Sequence, residues 1–332
     1  MNKSTRISYG IMALALVLIA WLHLGPLVLT SLFGYFALGK FRMGRSKHFA
    51  VALYIITVTT AAYLLVHFSR QASIALPKIA EQTVPAVVEY AERHSIELPF
   101  TDYASAKTVA LTEVKESLAN IGRYVRNAVY AFAQLIIGLV VAVSLFLSGK
   151  WGAEREPGTA EDSLYATVVR ELAIRFRTFY ASFSRVIGAQ ILISAINTVL
   201  TAVFLIWNGY PYKIVLVGVT FLCGLLPIIG NLISNTLIIG VSFTISPQLA
   251  FFALVFLVAI HKLEYFLNSK IIGDRIRNPM WLTLIGLVLG EKLMGIPGMI
   301  LSSVVLHYIK VEASRSKLNE TPAGSRGSDN WF

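Results

Sequence analysis

The sequence contains a single cysteine and very little charge. Of its 332 residues, 14% are charged and 56% are hydrophobic, and the mean hydropathy is +0.67. Because this residue, Cys223 in an apolar run, is the only cysteine, we expect neither an intrachain disulfide nor a cysteine-based metal site. A composition of this kind is typical of an integral membrane protein.

Several sequence motifs of soluble enzymes are also absent. The chain has no Gly-x-x-x-x-Gly-Lys-Ser/Thr loop, no His/Cys cluster with zinc spacing and no apparent nucleophile–base pair. We therefore expect a protein that is not an enzyme. Any energy source would be an ion gradient, the solute gradient or a separate ATPase chain. The net charge of +11 does not indicate nucleic-acid binding, because much of it flanks apolar runs, where Lys and Arg set orientation and contact anionic lipid.

Apolar runs separated by charged segments predict an all-α polytopic membrane protein. Residues 7–39 carry no Lys, Arg, Asp or Glu. This run is much longer than the roughly 7–15 apolar residues of a cleaved secretion signal, and His23–Pro26 interrupts it. We therefore predict two spans there, within N-terminal transmembrane helices over 1–68. The predicted spans are 7–23, 26–39, 48–68, 129–148, 186–207 and 248–267.

A polar insert at 69–128 separates the third and fourth spans. It contains seven basic and seven acidic residues, a balance that fits the outer face of the membrane. Apolar residues recur every three or four positions in both of its halves, which predicts two amphipathic helices. The second half has heptad-like spacing, so we expect a homo-oligomer.

The charged segment 149–185 predicts a cytoplasmic amphipathic helix. Its apolar stripe is flanked by arginines, which is typical of a helix at the membrane interface. The short loop containing Lys40, Arg42, Arg45 and Lys47 has no acid, so the positive-inside rule places it in the cytoplasm. This orientation puts both termini in the cytoplasm. The polar tail at 311–332 is predicted to be disordered.

Two interrupted apolar segments, 214–245 and 280–309, have the same plan. The second has arms of 11 and 14 residues, joined by Gly290–Lys292 and Gly295–Gly298, whereas a spanning helix needs roughly 20 apolar residues. We therefore predict two re-entrant helical hairpins, each following a span. Together they would form an inverted-repeat transport core over 186–310, the architecture of many secondary transporters.

Polar and helix-breaking residues within the predicted transport core are candidates for substrate or ion binding, because such residues are costly at membrane depth. Glu264 is the leading candidate. A carboxylate in a partly dry site can bind Na⁺ or take up H⁺, since desolvation disfavours its charged form. We expect one of these two as a coupling ion and no metal cofactor. The candidate residues are Gln190, Asn197, Pro227, Gly230, Asn231, Asn235, Glu264, Asn268, Glu291 and Pro297.

Each of these assignments has a structural alternative. Glu291 and Lys292 are neighbours and would neutralise each other at a hairpin tip. In the alternative to ligand binding, the amides of Gln190, Asn197 and Asn235 only form hydrogen bonds between helices. The alternative partners for Glu264 at the cytoplasmic boundary are Lys262, Lys270 and Arg275.

The C-terminal half of the chain, residues 170–310, resembles the autoinducer-2 exporter family, also called the PerM-like permeases. The N-terminal half is similar to that family only in the layout of its spans and insert. The motifs that carry the resemblance are Arg185–Gln190, Gly224–Asn231, Glu264, Lys270–Gly273 and Gly290–Met299.

This resemblance implies transport across a bacterial inner membrane. Some members of the family are linked to export of autoinducer-2 and others to sodium/proton exchange. The leading hypothesis is secondary transport by alternating access, with export of a small polar solute. The alternatives are a Na⁺(Li⁺)/H⁺ antiporter and, from another class, a non-transporting membrane scaffold. Expected partners are the lipid bilayer, a small polar solute or monovalent cation, and further copies of the chain, but not nucleic acid.

Overall fold

The computed structural model describes residues 3–42, 44, 46–95, 121–148, 163–226, 229–272 and 279–318. These residues form ten α-helices and contain no strand. The helices are α1 (Lys3–Trp21), α2 (Gly25–Arg42), α3 (Lys47–Arg93), α4 (Ile121–Ser148), α5 (Leu164–Trp207), α6 (Lys213–Gly224), α7 (Ile229–Ile245), α8 (Pro247–Ile272), α9 (Met280–Met294) and α10 (Ile296–Leu318).

Capping serines, a glycine and a proline determine where several helices begin and end. Ser46, Ser163 and Ser246 each accept a backbone N–H three residues on through their hydroxyl oxygens, as N-capping serines do. Gly295 ends α9 with a φ of 64°, a left-handed conformation that glycine adopts at little cost. Pro297 follows in the first turn of α10, where a missing N–H is tolerated.

Two helices are much longer than a bilayer requires. The 47 residues of α3 extend about 70 Å, and the 44 residues of α5 about 66 Å, whereas a hydrocarbon core is roughly 30 Å thick. The predicted boundaries at 68 and at 185 both fall inside these continuous helices. The third span and the first part of the insert are therefore one helix, and so are residues 164–185 of the predicted cytoplasmic helix and the span that follows them. Residues 96–120, with most of the second insert helix, lie outside the described residues.

Six of the described helices are long and apolar enough to cross a membrane, by length and composition. Five of them contain the predicted spans 7–23, 48–68, 129–148, 186–207 and 248–267 in whole or in large part. The sixth is Ile296–Ser314 in α10. The second arm of the segment 280–309, predicted to be too short to cross, therefore belongs to a helix with the length of a candidate span, because α10 continues through polar residues to Leu318. By contrast α2, the predicted second span, is not among the six.

One compact unit comprises Pro26–Gly149 and Ala189–Ile271. Five helices of this unit contribute to a buried apolar cluster, in which Ile79 of α3 lies with residues of α5, α6, α7 and α8. The first insert helix therefore packs on the bundle rather than standing apart from it. The buried members are Ile79, Leu205, Tyr210, Leu216, Ile238, Val241, Ala253 and Leu257.

The other compact unit comprises Met1–Gly25, Lys150–Gly188 and Ile272–Phe332. Its α9 and α10 pack closely along each other. A partly buried polar network joins α1, the first part of α5 and α10. Arg175, only 3% exposed, pairs with Glu171 at 2.7 Å and lies over the ring of Tyr9 at 3.9 Å. The Tyr9 hydroxyl donates to Glu312 Oε1 at 3.0 Å.

Both interrupted segments consist of two packed helices joined by a short break. In the first segment α6 and α7 pack together, and the chain leaves α6 at Leu225. In the second, α9 meets α10 at Gly295. The breaks therefore lie within the sequences that predicted them. Residues 189–271 and 272–310 belong to different compact units, whereas the sequence predicts one transport core over 186–310.

Candidate functional site

Three helices of the first compact unit bring polar side chains together around one carboxylate. Asn231 Nδ2, in the first turn of α7, donates to Glu264 Oε2 of α8 at 2.5 Å. Asn197 Nδ2 of α5 donates to the same oxygen at 3.3 Å. Of the ten candidate residues, Asn197, Asn231, Asn235 and Glu264 line one cavity.

Helical spacing explains why these residues meet. Asn197 lies on the buried face of α5 with Ser194 and Thr201, which are three and four residues away and therefore on the same side of the helix. On α8, Leu257, Ile260 and Glu264 have the same spacing, and all three line the cavity.

Glu264 is held by amides more than by cations. Its side chain is 13% exposed, and the nearest basic group is His261 Nδ1 at 3.8 Å, on a side chain that is 63% exposed. Within the described part of the chain, neither Lys262 nor Lys270 forms an ion pair with it, and the alternative partner Arg275 lies outside that part. The positive end of the α7 dipole is a further favourable interaction for the carboxylate.

The cavity beside Glu264 is small and rich in oxygen. Its volume is about 10 Å³, close to the free space that one water molecule needs. Asn197 Oδ1 is buried and accepts no hydrogen bond from the residues that the structure describes. A single water or desolvated ion therefore fits, whereas a multi-carbon solute does not in this conformation. The lining is Asn197, Thr201, Thr220, Asn231, Ser234, Asn235, Leu257, Ile260, His261 and Glu264.

The lining residues outside the ten candidates include Thr201 and Thr220. Thr201 lies four residues after Asn197, so helical spacing could have identified it. No local pattern identifies Thr220, because its position depends on how α6 packs in the bundle.

The C-terminal carbonyl groups of α6 all have hydrogen-bond partners. Two come from α5: Gln190 Nε2 donates to Gly224 O at 2.6 Å, and Ser194 Oγ donates to Phe221 O at 2.9 Å. The backbone N–H groups of Leu225 and Leu226 donate to Leu222 O and Cys223 O. The last four carbonyls of a helix otherwise lack partners, which is especially costly in lipid. The Gln190 amide, a candidate ligand, is therefore engaged in capping.

We expect Gln190→Ala to destabilise the protein by about 2 kcal/mol, because it leaves Gly224 O unpaired in an apolar surrounding. The thermal unfolding midpoint in detergent would measure this effect. Asn208→Ala is the matched control, since the Asn208 amide donates to Phe204 O at an exposed position. Equal unfolding midpoints for the two variants would show that the cap contributes little.

Gly230, at the start of α7, lies in close contact with the end of α6. A Cβ at this position would lie 1.7 Å from Cys223 O, so only glycine allows the two backbones to approach in this way. The role of this candidate residue in the structure is close packing at the start of α7.

The other four candidates are Pro227, Asn268, Glu291 and Pro297. Pro227 and the side chain of Asn268 lie outside the described residues. Glu291 and Pro297 belong to the other compact unit. Glu291 lies 3.6 Å from Lys292 Nζ with both side chains largely exposed, which agrees with the neighbouring ion pair considered above.

The described residues form only helices, with six candidate spans, interrupted helices and a buried carboxylate. These are features of a membrane transport protein. Comparison with protein families shows which kind. The family model described as "AI-2E family transporter" matches residues 8–314, so the chain belongs to the AI-2E transporter family. This match confirms the family resemblance found in the sequence and makes the protein a multi-pass membrane transporter.

A curated relative from Bacillus subtilis (strain 168) agrees with this assignment. It is named "Putative transport protein YdbI" and is 25% identical over 278 residues, which cover 80% of this chain and 77% of the relative. The similarity therefore extends over most of both proteins.

Proposed function

We propose that this protein is a secondary transporter coupled to H⁺ or a monovalent cation such as Na⁺, and that Glu264 is the coupling carboxylate. The observation that carries the proposal is the geometry around Glu264. A mostly buried carboxylate lies inside an apolar bundle, fixed by two amides, beside a cavity of about 10 Å³.

The chemistry of the cavity supports a small hard cation or a proton. Its available ligands are oxygens: the Glu264 carboxylate, the unpaired Asn197 Oδ1 and the hydroxyl groups of Thr201 and Thr220. Hard cations prefer such ligands. The single carboxylate would neutralise a bound monovalent cation, or would itself carry the proton.

A small polar solute, such as an autoinducer-2-like polyol, is the transported molecule in this proposal, and export is its direction. The family supports this choice of solute. Because the cavity is too small for a polyol in this conformation, transport requires the helices to rearrange, as in alternating access. The two interrupted segments, each preceded by a long helix, support an inverted repeat of span and re-entrant hairpin.

The proposed setting is the bacterial cytoplasmic membrane, with both termini in the cytoplasm. The acid-free basic loop after α2 supports this orientation through the positive-inside rule. A homo-oligomer is part of the proposal, on the basis of the heptad-like spacing in the insert.

Purified protein in liposomes with an internal pH dye tests the coupling. For coupling to H⁺, we expect addition of the polyol to dissipate an imposed pH gradient. Dissipation by NaCl or LiCl alone, with choline chloride inactive, would instead identify a Na⁺(Li⁺)/H⁺ antiporter. If neither cation nor polyol changes the pH signal, Glu264 does not couple H⁺. If no solute moves either, the protein is a scaffold.

A further inference from the structure

A large apolar groove runs between α3 and α4, within the compact unit that contains both helices. Its volume is about 760 Å³, within the range of roughly 300–1,000 Å³ for pockets that hold small molecules. Both walls lie in candidate membrane spans, so the groove faces hydrocarbon. Its lining includes Tyr54, Val58, Leu139, Val143, Leu147 and Ser148.

One end of the groove carries a lysine. Lys47 lies in the first turn of α3, and its Nζ donates to the backbone oxygen of Leu147 at 2.7 Å. Leu147 is itself part of the groove wall. A lysine ammonium has three donors, so two remain for a ligand at this end.

The charged residues that the structure describes around this end are basic. Leu38 and Phe41 at the end of α2 pack with Ala50 and Phe146, which places the last turn of α2, with Lys40 and Arg42, beside the start of α3. The first 80 residues of the sequence contain no Asp or Glu, and residues 121–148 contain none either. Neither wall of the groove has a negative charge that would oppose an anion.

We infer that this groove binds an anionic phospholipid, with one acyl chain along α3 and α4 and the phosphate at Lys47. An apolar channel at membrane depth suits an acyl chain. A lysine at the end of the spans, where headgroups lie, suits a phosphate. Basic pockets between transmembrane helices are known to bind anionic headgroups in this way. The inference does not depend on the transport activity.

Native mass spectrometry of the detergent-solubilised protein, titrated with phosphatidylglycerol or phosphatidylcholine of the same acyl chains, tests the inference. We expect tighter binding of phosphatidylglycerol. Lys47→Gln should weaken that binding about fivefold and leave phosphatidylcholine unchanged, whereas Lys47→Arg should keep the preference. The matched control is Lys213→Gln, at an exposed lysine that begins another helix of the same unit.

A second pair of variants tests the acyl-chain site. Val140→Trp places a large side chain in the groove and should remove the tightly bound lipid of either headgroup. Ile137→Trp, at an exposed position of α4 outside the groove lining, should not. Equal affinity of the wild-type protein for the two lipids would overturn the headgroup assignment. Retention of lipid by Val140→Trp would overturn the groove assignment. Loss of an oligomer in that variant with the lipid retained would show that a second copy fills the groove.

Discussion

Replacing Glu264 by Gln is expected to lower the coupled transport rate by roughly 100-fold or more, without unfolding the protein. Glutamine has nearly the same shape and can still bond to the amides of Asn197 and Asn231. It cannot carry a proton or neutralise a bound cation. The initial rate of pH change in liposomes after addition of Na⁺, Li⁺ or polyol measures the effect.

Glu89→Gln provides the control for this experiment. Glu89 is 65% exposed on α3, where it pairs with Arg93, and it does not contribute to the cavity. Its replacement should leave the rate unchanged. Glu291→Gln is a third useful variant, because it tests whether the exposed ion pair of Glu291 with Lys292 contributes to transport. Wild-type rates in Glu264→Gln would show that ion coupling, if present, takes place elsewhere.

Gly298→Ala is expected to reduce folded yield and to destabilise the remaining protein by more than about 3 kcal/mol, above the usual cost of overpacking. A Cβ at position 298 would lie 1.9 Å from Gly290 O, and one at 290 would lie 2.3 Å from Gly298 O. The contacting atoms are backbone, so no side chain can rotate away. The two helices would have to separate along their length.

Gly10→Ala is the matched comparison, because a Cβ at position 10 meets no atom within 4 Å. Alanine also favours the helix over glycine there, so this variant should be at least as stable as the wild type. Size-exclusion yield and thermal unfolding in detergent would measure both variants. Similar values for Gly298→Ala and Gly10→Ala would mean that α9 and α10 approach less closely than described.

Much of the helical layout was predictable from the sequence, but the helix ends were not. The predicted boundaries at 68 and 185 were placed where the sequence becomes polar. A change of polarity alone leaves the hydrogen bonds of a helix intact, so α3 and α5 continue through it. The same reason explains why α10 extends beyond Ile309, where the apolar run stops. The breaks at His23 and Gly295 were predictable because local residues end those helices.

The candidate site was predictable in part for similar physical reasons. Asn197, Asn231 and Glu264 are polar residues on apolar helices, and the structure brings them together. Gln190 has the same sequence character, yet its amide caps the end of α6. That role depends on where α6 stops and on its distance from α5, neither of which a single sequence contains.

The capping bonds from α5 also restrict how this bundle can move. Sliding α6 away from α5 would leave the carbonyls of Phe221 and Gly224 without partners in lipid, at a cost of several kcal/mol. In a transport cycle the two helices would therefore travel together as one rigid body. The hinge must lie outside this pair, and structures of other states should show Gln190 and Ser194 keeping the same partners throughout.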